Sequence, residues 1–267
     1  MLRKLTITLI TASLSICAGC ATNPITGKTQ LMLISEEQDF EIGQKYAPEI
    51  EKQMGGQIQN AAIQNYVNSV GQKIAAVSHK PEWTFEFVAL NDDTVNAFAL
   101  PGGRLFITKG MLKSLTTEAQ LASILAHETV HTVARHSSEA MSRQIGIQML
   151  LSTVTTEETS KGLLTVADLT NQIIGMKFSR DDEREADSGG LDYMVRAGYN
   201  PYGMVETMQM LESQSGSRQI EFLSTHPSPK NRAQDLTNQI QKKYPNATAL
   251  KTAKQQYQIS VLNNLTN

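Results

Sequence analysis

The chain is 267 residues long, 40% hydrophobic and 19% charged, with a formal net charge of −2 and two cysteines. That length suits one domain with a sizeable core. The near-neutral balance gives no basic surface for nucleic acid, and two cysteines exclude a disulfide-stapled scaffold.

Residues 1–19 read as an export signal. Arg3 and Lys4 form a basic start, and Leu5 to Ile16 is an apolar run too short to span a bilayer. Cys17-Ala18-Gly19-Cys20 follows, and the small residues before Cys20 resemble a bacterial lipobox. Cys20 is therefore the expected lipidation site, and no cysteine then remains for a disulfide. Ala21, not Asp, comes next. By resemblance to enterobacterial sorting, this implies the outer membrane, facing the periplasm. Residues 20–34 read as a turn-rich tether, and 35–245 as the folded domain.

Within that domain, Ser35-Glu36-Glu37 has helix-start chemistry, and Gly55-Gly56 ends the helix. Ile63, Val67, Val70, Ile74 and Val77 mark a second amphipathic helix. Trp83 to Leu90 alternates as a strand. Val95 to Leu100 and Arg104 to Thr108 flank Pro101-Gly102-Gly103, which predicts a hairpin. A helix over about 117–136 follows, with Thr116 or Thr117 as cap. Residues 139–178 are helical in character, with a polar interruption from Thr153 to Lys161 that reads as a lid or a plain loop. Further helices are expected over Arg180 to Gly198, Pro201 to about Ser213, and Asn231 to Lys243. Residues 246–267 are polar and carry no clear pattern. The pattern predicts a single, mainly helical α+β domain with a small sheet.

The helix over 117–136 contains His127-Glu128-Thr129-Val130-His131. Four residues apart, the imidazoles sit about 40° from each other around the axis. Both can reach one zinc ion, with Glu128 placed as general base for hydrolysis of a peptide bond. Apolar neighbours such as Leu121, Ile124, Leu125, Val130 and Val133 predict a buried helix, where two histidines and a carboxylate need a partner.

A catalytic zinc site takes three protein ligands. A third histidine six residues after His131 is absent, because Ser137 stands there. His136, on a continuous helix, lies 180° from His127 and faces away. The remaining source is Ser179-Arg180-Asp181-Asp182-Glu183-Arg184-Glu185-Ala186-Asp187. Glu183 and Asp187 share a helix face, so Glu183 can ligate zinc while Asp187 orients a ligating imidazole. Glu185 points about 200° away from Glu183 and is expected outside the site.

Four motifs now stand in order: Asn96-Ala97-Phe98-Ala99-Leu100-Pro101-Gly102-Gly103, the His127–His131 motif, the Ser179–Asp187 stretch, and Thr225-His226-Pro227-Ser228. Together they resemble the zinc metallopeptidases that include the heat-shock protease HtpX, the mitochondrial protease Oma and the prenyl-protein proteases. With the lipobox, the chain is most similar to the LoiP-type periplasmic lipoproteins. The resemblance spans roughly residues 30–240, and no tetratricopeptide extension is expected. It implies a minimal zincin-like fold, one Zn²⁺ per chain on His127, His131 and Glu183, and catalysis by Glu128. It also implies that His226 stabilises the oxyanion, with Arg232 in support or at the substrate. A further possibility is that His226 binds the metal in a latent state.

Asn96 and Ala97 are expected on an edge strand beside the active helix, where an extended substrate adds as a strand. That mode suits unfolded polypeptides as substrates. The implied activity is quality-control proteolysis in the envelope, with the membrane and outer-membrane proteins as partners. The alternative is a non-catalytic, metal-binding lipoprotein acting as an assembly factor, for which Glu128 would have no use.

Overall fold

A computed structural model describes residues 19–154, 166–214, 220–227 and 231–265, without side-chain detail for 148–154 and 166–169. The export signal through Ala18, residues 155–161 of the polar interruption, and Ser228-Pro229 lie outside the described residues. In chain order the elements are β1 (Cys20–Thr22), β2 (Thr29–Leu31), α1 (Glu36–Gln53), α2 (Ala61–Ala75), β3 (Glu86–Leu90), β4 (Ala97–Ala99), β5 (Arg104–Thr108), α3 (Lys109–Ser114), α4 (Glu118–Val133), α5 (His136–Val154), α6 (Val166–Ile174), α7 (Arg180–Arg196), α8 (Tyr202–Gln214), α9 (Phe222–Thr225) and α10 (Arg232–Lys243), followed by short helical turns over Ala247–Ala249, Lys254–Tyr257, Gln258–Leu262 and Asn263–Leu265. The chain is a mainly helical α+β domain, and no described helix is long and apolar enough to cross a membrane.

Helix starts follow local chemistry. Ser35, Thr117 and Ser179 each accept from the N3 backbone, while Gln38, Gln120 and Asp182 reach back to the cap. These reciprocal bonds satisfy backbone donors that the first helical turn leaves unpaired. Gly198, at φ +84°, follows the α7 cap in the left-handed region.

The three-stranded sheet has the order β3-β5-β4. β4 and β5 form the expected antiparallel hairpin, with Ala97 opposite Ile107. β3 pairs parallel with β5, Glu86 opposite Arg104. Alternation along the strands serves two cores. Phe87, Ala89, Ala97, Leu105 and Ile107 join the main core with α2 and α4. Val88, Leu90, Phe98, Leu100 and Phe106 pack with Tyr46, Ala47 and Ile50 of α1. Both faces are therefore covered.

All 16 residues of α4 are buried. Helix α7 can lie close against it because of Gly189 and Gly190. A Cβ on Gly189 would come within 2.9 Å of Val130, and one on Gly190 within 3.4 Å of the His127 nitrogen. This close approach brings the carboxylates of α7 to the histidines of α4.

The ends are more structured than the tether and tail read from the sequence. β1 and β2 pair as an antiparallel hairpin, with buried Asn23 and Gln30 bonded into the body. Near the other end, Tyr257 and Val261 are buried, and the Tyr257 hydroxyl donates to the Leu112 carbonyl. Lys251 donates to Glu118 at 2.5 Å, where Tyr66 and Tyr199 also donate. Burial opposes ionisation of Glu118, but Lys251 and the two phenols outweigh it and hold its carboxyl below the ordinary range.

A depressed folded-state pKa adds stability above the unfolded value that is lost as pH falls through the folded one. Glu118→Gln is therefore expected to destabilise by about 1–3 kcal/mol at neutral pH. In denaturant melts, the gap to wild type should narrow below the ordinary carboxylate range; a gap constant with pH would exclude an ionic role.

Candidate active site

Helix α4 supplies His127, Glu128 and His131, α7 supplies Glu183 and Asp187, and the residue closing α9 is His226. Each is buried. His127 Nε2 lies 3.1 Å from His131 Nε2 and 3.5 Å from Glu183 Oε2, and His131 Nε2 lies 3.5 Å from Glu183 Oε1. His226 Nδ1 completes the group, 3.3 Å from His127 Nε2 and 2.9 Å from Glu183 Oε1. One donor atom from each of the four residues lies within 4.8 Å of the others.

These residues fit a metal ion. A tetrahedral ion with ligand bonds of about 2.0–2.1 Å has donor–donor edges of about 3.3 Å, and most of the distances above cluster there. Glu128 Oε1, Glu183 Oε2 and His226 Nε2 are buried without a hydrogen bond. Buried groups of this kind are costly unless a partner satisfies them. The local field also favours a cation. Burial pulls the His127 imidazole down, yet Asp187 and Glu183 together raise it to about 9. Burial opposes ionisation of Glu183 too, but the surrounding imidazoles hold it far below the carboxylate range. Burial pushes His131 well below its usual value, the neutral form a metal needs.

Asp187 Oδ1 lies 3.2 Å from His127 Nδ1. Arg232 grips Asp187 with two bonds, Nε to Oδ2 at 2.7 Å and Nη2 to Oδ1 at 2.6 Å. Its Nη1 lies 3.2 Å from Glu183 Oε2. Arg232 is buried, and its fork is committed to these carboxylates. Glu128 stands beside the cluster, 3.5 Å from His226 Nε2. Burial raises its carboxyl, against the pull of His226 and His127.

Asn96 and Ala97 border α4 from the sheet, and among the described residues β4 has β5 as its one neighbour. Asn96 and Leu100 direct their main chain toward β5. By alternation, Ala97 and Ala99 turn theirs to the open edge. The Asn96 side-chain amide is buried, and neither its oxygen nor its nitrogen has a partner. At the same edge, the Val95 carbonyl accepts from Phe222 N, so the segment carrying His226 meets the start of the strand. Cys20 is exposed, far along the chain from the metal ligands.

Two features differ from the sequence reading. His136 is buried inside the site's surroundings. Helix α4 ends at Val133, Arg135 adopts φ +58°, and His136 begins a new helix. Its Nδ1 lies 2.9 Å from His131 Nδ1. Glu185 is no ligand, but it reaches His136 Nε2 at 3.6 Å. Two aromatic residues also line the imidazoles: Phe222 stacks on His226 at 4.4 Å between centroids, and Phe178 lies 4.1 Å from His131. As apolar residues outside any motif, they carried no signal.

Comparison with known proteins agrees with this geometry. The beta-barrel assembly-enhancing protease of Yersinia pestis is 30% identical over 239 residues, covering 85% of this chain and 49% of that protein. The Escherichia coli K12 protein of the same name is 29% identical over 239 residues, covering 84% of the chain and 48% of that protein. The mitochondrial metalloendopeptidase OMA1 of Schizosaccharomyces pombe is 37% identical over 174 residues, covering 64% and 51%. The chain thus spans about half the length of these relatives. The model for Peptidase family M48 matches residues 61–240, a stretch that contains every expected ligand and Glu128, and the chain belongs to that family.

Proposed function

We propose that the chain is a zinc-dependent endopeptidase of the bacterial envelope that cleaves unfolded polypeptides. The observation that carries this reading is the buried His127, His131 and Glu183 cluster with Glu128 beside it. All-nitrogen-and-oxygen donors at tetrahedral spacing suit Zn²⁺, one per chain. When bound, the ion supplies Lewis-acid charge that polarises the scissile carbonyl and acidifies water. Glu128 accepts the proton from water and returns it to the leaving amine. Asp187, clamped by Arg232, fixes the tautomer and orientation of His127. Cleavage of unfolded casein that is lost on chelation and restored by zinc tests this; cleavage indifferent to chelation would rule it out.

Substrate is held at the open edge of β4, by the outward main chain of Ala97 and Ala99 and by the unpartnered amide of Asn96. Proline at 97 removes one outward donor without removing a bond to β5. Ala97→Pro is therefore expected to raise KM severalfold with metal content unchanged. An unaltered KM would place the substrate elsewhere.

His226 Nδ1 sits as a fourth donor within the cluster, and its segment occupies the start of the substrate edge. This favours a resting state in which the ring closes the site. His226→Ala should then raise casein cleavage, whereas a drop would assign the ring to oxyanion stabilisation. A lipid on Cys20 would hold the chain at the outer membrane, facing the periplasm. The names of the bacterial relatives support an envelope role in which outer-membrane proteins are substrates or partners.

A further inference from the structure

The corner between α4 and α5 is unusual in two respects. Arg135, a non-glycine residue, holds φ +58°, a left-handed conformation that L-residues adopt only under strain. Three contacts hold the corner: Arg135 Nε to Asp39 at 2.6 Å and Ser138 Oγ to Asp39 at 2.6 Å, both buried, and Arg135 Nη2 to the Ile34 carbonyl at 2.6 Å, part-buried. The outcome of this strained turn is to place His136 against His131.

The contacts from there assign the ring protons in one consistent direction. His131 Nε2 faces the ligand cluster and would be unprotonated with a metal bound, which puts the ring proton on Nδ1. That Nδ1–H donates to His136 Nδ1 at 2.9 Å. The His136 proton is then on Nε2, which has no hydrogen-bond partner and points to Glu185 Oε1 at 3.6 Å. Asn23 Nδ2 donates to the same oxygen at 2.6 Å. Asn23 is itself fixed in the β1–β2 hairpin, where its Oδ1 accepts from the nitrogens of Ile25 and Thr26. The hairpin engages the corner a second time, through Gln30, whose Nε2 donates to the Ala134 carbonyl at the end of α4 and to Glu139.

We propose that His136 is a positioning residue for the ligand His131, and that the β1–β2 hairpin completes the metal site through Asn23 and Glu185. The two histidine ligands are then oriented from the same helix, α7, in different ways. His127 meets the carboxylate of Asp187 directly, and His131 meets that of Glu185 through one intervening imidazole. The hairpin beside the expected lipid site is thereby a structural part of the metal centre, so its detachment from the body weakens metal binding. The inference rests on the metal site described above.

The test is zinc affinity of the full chain in detergent, measured by competition with a chelator, together with the visible spectrum of the cobalt-substituted protein. His136→Leu removes the acceptor for His131 and is expected to weaken zinc about 10- to 100-fold and to shift the cobalt bands. His136→Asn offers a side-chain carbonyl in its place and should recover part of the loss. Asn23→Ala should weaken zinc by about threefold to tenfold.

Wild-type affinity in His136→Leu, or equal loss in the Leu and Asn variants, would overturn the proposal. If His136→Leu does not fold, Asn23→Ala and Glu185→Gln decide, and unchanged affinity in both overturns it. A wild-type chain that binds no zinc instead refutes the metal site itself, an outcome separate from these.

Discussion

Glu128→Gln is expected to lower kcat for casein by about 10²- to 10⁴-fold, the usual contribution of a positioned general base, while zinc content stays at the wild-type level. Glu128 is buried, its Oε1 makes no hydrogen bond, and it is not one of the four clustered donors. Gln has nearly the same shape, so the substitution leaves no cavity while it removes the carboxylate's charge and its ability to take a proton. Burial raises the Glu128 carboxyl above the ordinary range. A non-catalytic assembly factor predicts the reverse: full biological function in Glu128→Gln.

Arg232→Met is expected to destabilise the protein by about 3–5 kcal/mol, the range for breaking a buried ion pair by removing one partner. The guanidinium is buried, forms a fork with Asp187 and lies beside Glu183. Burial opposes its charge, yet Asp187 and Glu183 raise its pKa, and it in turn holds Asp187 below the carboxylate range against burial. Without it, two carboxylates share a buried site with one cation fewer. Asp187→Asn combined with Arg232→Met should lose less than the sum of the single losses, by a coupling of about 1–3 kcal/mol in urea melts. Strict additivity would show that the fork is incidental.

The parts of the site legible in the sequence are those in which spacing along one helix decides geometry. His127 and His131 share a face of α4, and Glu183 and Asp187 share a face of α7, so their placement follows from 3.6 residues per turn. The hairpin at Pro101-Gly102-Gly103 was legible for a similar reason: Gly102 and Gly103 take φ +83° and +100°, which glycine adopts freely.

A continuous helix would turn His136 away from the site, but that helix does not continue. The break is at Arg135, which no local rule marks, and it is held by Asp39 from almost a hundred residues earlier. The β1–β2 hairpin leaves no local pattern because its strands are three residues each and depend on distant partners, Glu185 and Ala134. The parallel pairing of β3 with β5 is equally non-local: alternation marked both as strands but not as neighbours.

The most direct test of the central claim is the metal content of the purified full chain, for wild type and for His131→Ala. The cluster of His127, His131 and Glu183 predicts one zinc per wild-type chain and a large loss in the variant, with the apo-protein still folded. No bound metal in wild-type protein, or one zinc per chain retained equally by His131→Ala, would contradict the assigned ligands and the mechanism built on them.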